Sequence, residues 1–190
     1  FGEHKEPFPS AASGAPRILF VGRYNEPRKG FKYLLRAMPL IQQQYPNARL
    51  LVVGLGDSER FHETIERYQI SNVEFIGEVS QESLPHYYSS CDVFCAPSIY
   101  RESFGIVLLE AMASMKPVVA SDIPGYASVA TSHKDALLVS PRDPSAIALA
   151  IVRLLADADL RARLVQAGRK TADHYSWPSV AQRVLDVYVQ

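Results

Sequence analysis

Short apolar runs alternate with longer amphipathic segments along most of the chain. Six runs are rich in Val, Leu and Ile and are bounded by Gly, Pro or polar residues: RILFVG (17–22), ARLLVVG (48–54), NVEFIG (72–77), CDVFCAP (91–97), KPVVAS (116–121) and ALLVS (136–140). Each reads as a strand. None shows the in-out alternation of a half-exposed sheet, which is the pattern of strands covered on both faces. Between them, apolar positions recur at helical spacing, as with Leu34, Leu35, Met38 and Ile41 in the segment 31–45. Further helices are expected at 58–69, 80–90, from about Phe104 onward, and at 143–156, 157–174 and 179–189. Pro39 lacks an N–H and predicts a kink or break in the first helix. Strands alternating with helices imply an α/β fold, a Rossmann-like parallel sheet of about six strands with helices on both faces. Residues 1–16 are rich in Pro, Ser, Gly and Ala and read as a linker, with His4 a solvated residue in it. The domain proper is expected at 17–190.

In such sheets, ligands gather at the carboxyl ends of the strands. Four loops with chemistry follow strands: GRYNEPRKG (22–30), GLGD (54–57), GEVS (77–80) and PSIYRESFG (97–105). The last of these runs into the apolar helix IVLLEAMA. A helix start carries unpaired N–H groups and the positive end of the dipole, so Phe104, Gly105, Ile106 and Val107 are candidate donors to an anion. Gly105 lets a ligand approach the backbone. Glu102 and Glu110 bracket this start. Glu102 lies just before the helix and Glu110 two turns inside it; at about 3.6 residues per turn, about 800° of rotation separates them, leaving them about 80° apart and able to reach one crevice. Carboxylates accept hydrogen bonds from sugar hydroxyls. Arg23, Arg28 and Lys29 in the first loop suit a diphosphate. Phosphate at the helix start with hydroxyls beside it describes a nucleotide-sugar. The plainer alternatives are a solvated turn with Glu26 as counter-charge, and two carboxylates serving only the dipole and solvent. The convergence of four loops on one sheet edge, and the apolar setting of Glu110 in LLEAMA, favour the functional reading. GLGD lacks the third glycine of a dinucleotide fingerprint and reads as a tight turn, with close ligand approach open to it.

Composition narrows the classes. The 20 basic and 20 acidic residues balance, which argues against a general nucleic-acid binder. No run reaches transmembrane length and no signal peptide is visible. Cys91 and Cys95 are spaced as two small core residues, with neither a zinc pattern nor a disulfide framework, and fit a reducing, cytoplasmic compartment. His86, His133 and His174 have no partners at metal spacing, so no metal site is expected; His86, Tyr87 and Tyr88 are expected at the surface or partly buried. Asp157 of the D-x-D at 157–159 reads as a helix cap. Ser103 has no evident base and G-x-S-x-G is absent. Trp177 is expected to pack the last helix.

GRYNEPRKG, VVGLGD, FIGEV, CAP, ESFGIVLLEAMA and KPVVASDIPG together resemble the C-terminal half of a retaining glycosyltransferase of family 4, the group-1 type with the GT-B fold. Within it the chain is similar to the phosphatidylinositol mannosyltransferases, which use GDP-mannose. The resemblance runs from about Arg17 to Gln190. It implies that Arg23 and Lys29 hold the donor diphosphate and that Glu102 meets the sugar hydroxyls, these three acting in catalysis. Donor binding would fall to Arg28 and Ser103, to Phe104, Gly105, Ile106 and Val107 through their backbone, to Glu110 on the ribose, and to Val79 through its backbone at the base. Where those mannosyltransferases carry Asp and Lys near guanine, this chain has Gln81 and Leu84, which leaves GDP-mannose and UDP-sugars both open. No tightly bound cofactor is implied; Mg2+ on the diphosphate is compatible. The resemblance further implies an N-terminal acceptor domain outside this sequence, a lipid or glycan acceptor, and an intact enzyme peripheral at the inner face of the membrane. The competing readings are a GT-B sugar-nucleotide epimerase and a non-catalytic α/β interaction domain of receiver type. The latter would need acidic residues where the first loop is basic.

Overall fold

A computed structural model describes residues 14–188. The linker reading for 1–16, with His4, and the end of the last predicted helix at Val189 lie largely or wholly outside the described residues. Six parallel strands form one sheet: β1 (Arg17–Val21), β2 (Arg49–Val53), β3 (Val73–Gly77), β4 (Val93–Ala96), β5 (Val118–Ser121) and β6 (Leu137–Val139). Their spatial order is β3-β2-β1-β4-β5-β6. The order turns back between β1 and β4, so the loops after these two strands flank the switch point, where a crevice opens.

Side chains alternate across the strands. Ile18, Phe20, Leu50, Val52, Val93 and Cys95 point to one face and are covered by α1 (Phe31–Gln44) and α6 (Pro144–Ala156). Leu19, Leu51, Val53, Phe94 and Ala96 point to the other and are covered by α3 (Leu84–Ser90), α4 (Ile106–Ala113) and α5 (Pro124–Ala127). The absence of alternation in the sequence thus has its cause in two buried faces. The remaining helices are α2 (Glu59–Arg67), α7 (Ala158–His174) and α8 (Trp177–Tyr188). Asp143 and Asp157 cap α6 and α7, accepting from the N–H groups of Ala146 and Leu160.

Several expectations are corrected. α1 runs unbroken through Pro39. Leu35, Met38 and Ile41 on either side are fully buried, and each such side chain contributes about 2 kcal/mol, which outweighs one missing backbone bond. α3 begins at Leu84, after a turn in which Ser80 Oγ accepts from the Ser83 N–H. Tyr87 and Tyr88 are buried against the second face. Trp177 is 86% exposed at the start of α8, none of whose described side chains is buried. Cys91 and Cys95 are free and buried, as their spacing suggests, and burial pushes the Cys91 thiol up to about 12.

Candidate functional site

The loops after β1 and β4 are built against each other. The Ile99 N–H donates to the Arg28 carbonyl at 2.7 Å. Gly30 ends a 3-10 turn over Pro27–Lys29 and starts α1 at φ +69, and a Cβ there would stand 1.8 Å from the Pro97 carbonyl oxygen. Only a glycine permits this approach. It brings two of the three cations of the first loop onto the carboxylate of the second. Lys29 Nζ donates to Glu102 Oε1 at 2.7 Å, and Arg28 Nη1 donates to the same oxygen at 3.0 Å. Ser98 Oγ also donates to it at 3.1 Å, and the Tyr126 hydroxyl donates to Ser98 Oγ at 2.9 Å. Oε2 of Glu102 takes no bond among the described residues. Arg28 reaches Glu26 as well, at 2.7 Å, and Arg23 pairs with Glu26 at 3.1 Å. The hydrogen bond from Arg23, with the neighbouring positive charges, holds the Glu26 carboxyl below the usual range.

Helix α4 begins at Ile106, two residues later than its apolar run implies. Gly105 precedes it in the left-handed region at φ +78, and Arg101 is left-handed at φ +55. Residues 101–105 are therefore not helical, and the rotation argument that placed Glu102 and Glu110 on one face does not hold. No described side chain caps α4; the Leu108 N–H donates to the Gly105 carbonyl at 2.9 Å, and the N–H groups of Ile106 and Val107 remain available to an anion. Val107 is half-buried and Ile106 is exposed. Ser103 and Phe104 are exposed, and the Phe104 ring meets Tyr175 edge-on at 5.3 Å. Tyr175 in turn lines a cleft of about 510 Å³ with Lys134, Asp135, Lys170, Thr171 and His174.

Glu110 has a different setting. Its Oε2 accepts from the hydroxyl of Tyr88 on α3 at 2.7 Å. No hydrogen bond among the described residues joins it to Glu102. Burial, and then the neighbouring carboxylate, push the Tyr88 phenol far above its ordinary value; burial does the same for Tyr126. Val79 packs its side chain against the second face, which leaves its backbone for contacts beyond the turn at Gly77, φ +86. In GLGD, a Cβ on Gly54 would strike the Gly22 carbonyl and one on Gly56 the Tyr24 ring, both at 2.3 Å. Those glycines thus serve close packing on the first loop.

The structure therefore brings Arg28, Lys29 and Glu102 together beside the start of α4, and leaves Arg23 at the rim, touching Glu26. Sequence reasoning missed Ser98, Tyr126 and Gly125. A Cβ on Gly125 would lie 1.8 Å from the Glu102 carbonyl oxygen, so the backbone of α5 is seated directly on that residue. The DIPG segment was the available signal, but nothing in it says which loop it meets.

A family profile described as glycosyl transferases group 1 matches residues 3–171. The phosphatidyl-myo-inositol mannosyltransferase of Mycobacterium leprae is 41% identical over 180 residues, covering 93% of this chain and 48% of that protein. The chain spans about half the length of the curated relatives it matches. Among solved structures, the sucrose-phosphate synthase of Thermosynechococcus elongatus is similar at a TM-score of 0.81 and 35% identity, over 93% of this chain and 45% of that one. Anabaena Alr3699/HepE in complex with UDP-glucose shares the fold at a TM-score of 0.81 and 23% identity, over 92% and 49%. These matches bear out the transferase resemblance and the GT-B type of fold. They do not favour the epimerase or receiver-type readings. No helix among the described residues is long and apolar enough to cross a membrane.

Proposed function

The chain belongs to the glycosyl transferases group 1 family, and on that premise we propose that it is the donor-binding half of a retaining hexosyltransferase acting on a nucleotide-diphosphate sugar. The observation that carries this reading is the gathering of Arg28 and Lys29 on Glu102, in the loop that leads into the uncapped start of α4, at the switch point between β1 and β4. Side-chain cations and backbone donors aimed at one place suit a diphosphate. Arg23 stands at the entrance. Glu102 Oε2 accepts from sugar hydroxyls, Glu110 Oε1 from the ribose, and the backbone after Gly77, at Val79, faces the base. The mannosyltransferase relatives favour mannose as the sugar; we assign GDP-mannose as the donor, with the acceptor a lipid or glycan bound mainly by an N-terminal domain of the same enzyme. A bound Mg2+ would add positive charge at the diphosphate.

In the transfer, the bond from the sugar C1 to the diphosphate oxygen breaks and a bond from C1 to the acceptor hydroxyl oxygen forms on the same face. The acceptor proton passes to the departing diphosphate. Charge builds on that leaving group, so Lys29 and Arg28 stabilise the transition state more than the ground state.

Calorimetric titration of this chain with GDP and UDP, each with and without Mg2+, tests the reading. Binding of one base selectively, weakened at least tenfold in Lys29→Ala, supports it. In the two-domain enzyme, the same substitution lowers turnover by about 100-fold. Binding of neither nucleotide to this chain or to the two-domain enzyme rejects the crevice; undiminished turnover in Lys29→Ala rejects the role of Lys29.

A further inference from the structure

The carboxylate of Glu102 occupies the cations that a diphosphate needs. Lys29 and Arg28 both lie on its Oε1, and Glu26 shares Arg28 from the other side. Three cations, Arg23, Arg28 and Lys29, thus face two carboxylates, Glu26 and Glu102, leaving a surplus of one positive charge. The backbone of Glu102 is fixed and its carboxylate is tethered. Gly125 is seated against its backbone carbonyl, Arg101 before it is held left-handed, and Ser98, backed by Tyr126, bonds the same oxygen. Its side chain is 12% exposed and that of Lys29 17%. An arriving anion therefore meets the cations with Glu102 still in place.

Two ligands of the same reaction differ at this position. In a sugar nucleotide the terminal phosphate is esterified and carries one charge. In the nucleoside diphosphate left after transfer it carries close to two at neutral pH, with a second pKa of about 6. The fixed carboxylate repels the additional charge. It also offers the unbonded Oε2 to the hydroxyls that only the sugar nucleotide brings. One side chain thus acts with opposite sign on the two ligands. We infer that Glu102 is a specificity-determining residue that sets the preference of this crevice for the sugar-bearing donor over the bare nucleoside diphosphate. The inference rests on the proposed diphosphate site at Arg28, Lys29 and the start of α4. Its consequence for the reaction is that the crevice weakens its grip once the sugar has left and the diphosphate has released the proton it took from the acceptor.

The test is titration of GDP, GDP-mannose, UDP and UDP-glucose, without divalent cation, against the chain and its Glu102→Gln, Glu102→Asp and Glu102→Gln/Lys29→Met variants. Glu102→Gln keeps an acceptor oxygen for Ser98 and removes the charge. Thermal melting of each variant checks its fold. The expected result is that Glu102→Gln binds the free diphosphate of the accepted base about tenfold tighter, a shift that a nearby charge readily supplies. The matching sugar nucleotide binds no tighter, or more weakly. Glu102→Asp, which retains the charge, keeps the original order of preference, and Lys29→Met abolishes the gain. A merely structural role would weaken both ligands together. Equal changes for both ligands, or the same shift in Glu102→Asp, would overturn the inference and leave the diphosphate site standing. Binding of no nucleotide by any form would overturn the diphosphate site and the inference with it.

Discussion

Glu102 and Glu110 are the same residue type with seven residues between them, on either side of one helix start, yet their surroundings differ in kind. Glu102 sits in a loop with left-handed backbone nearby and takes three hydrogen bonds on one oxygen, two of them from cations. Glu110 lies within α4 and takes one bond, from a buried phenol. Both are backed by a buried tyrosine, directly for Glu110 through Tyr88 and through Ser98 for Glu102 by way of Tyr126. The difference separates two tasks. A carboxylate among cations offsets their charge, while a carboxylate held by a neutral donor is a fixed hydrogen-bond acceptor.

The largest effect is expected from Gly125→Ala. Its new Cβ would meet the Glu102 carbonyl at 1.8 Å, backbone against backbone, where no side-chain rotation gives relief. Thermal melting should show a loss of about 3 kcal/mol, or a fall in Tm on the order of 10 °C. Nucleotide affinity should fall with it, whereas a change confined to Glu110 would leave the Glu102 cluster intact. Next comes Glu110→Ala, which strands the Tyr88 hydroxyl in the core at a cost of about 2 kcal/mol. Adding Tyr88→Phe should recover part of that loss in a double-mutant cycle; additive losses would mean that the bond contributes nothing.

The smallest effect concerns Glu26, which shares Arg28 with Glu102. Its carboxyl is held below its ordinary value of 4.5, so the unfolded chain takes up the proton first. The associated stability is present above 4.5 and is lost as pH falls through the lower folded value. NMR titration of the carboxyl carbon should place the Glu26 midpoint below 4.5, and Arg23→Gln should raise it.

The strands and the placement of the loops were legible because burial on both faces leaves a mark in each run, such as LLVV and VFCA. Arg28, Lys29 and Glu102 were legible because charge in loops after strands is chemically conspicuous. The partners of Glu102 were not. Ser98 and Tyr126 are small or apolar-looking positions whose role depends on β4 and α5 coming together across β5, a tertiary fact with no local signature. The start of α4 lies later than the sequence implies because Phe104 continues the apolar run, while the left-handed turn at Gly105 delays the helix. Pro39 misled in the opposite direction, since local propensity yielded to the burial of its neighbours.

Trp177 is the only tryptophan in the chain and stands 86% exposed at the head of α8. Its indole is bathed in water in the folded protein much as in the unfolded one. Intrinsic fluorescence is therefore a reporter of the C-terminal arm and nearly blind to the sheet. A blue shift in its emission would signal that something has covered α8, while nucleotide entering the crevice is better followed by heat or by the tyrosine bands of Tyr88 and Tyr126.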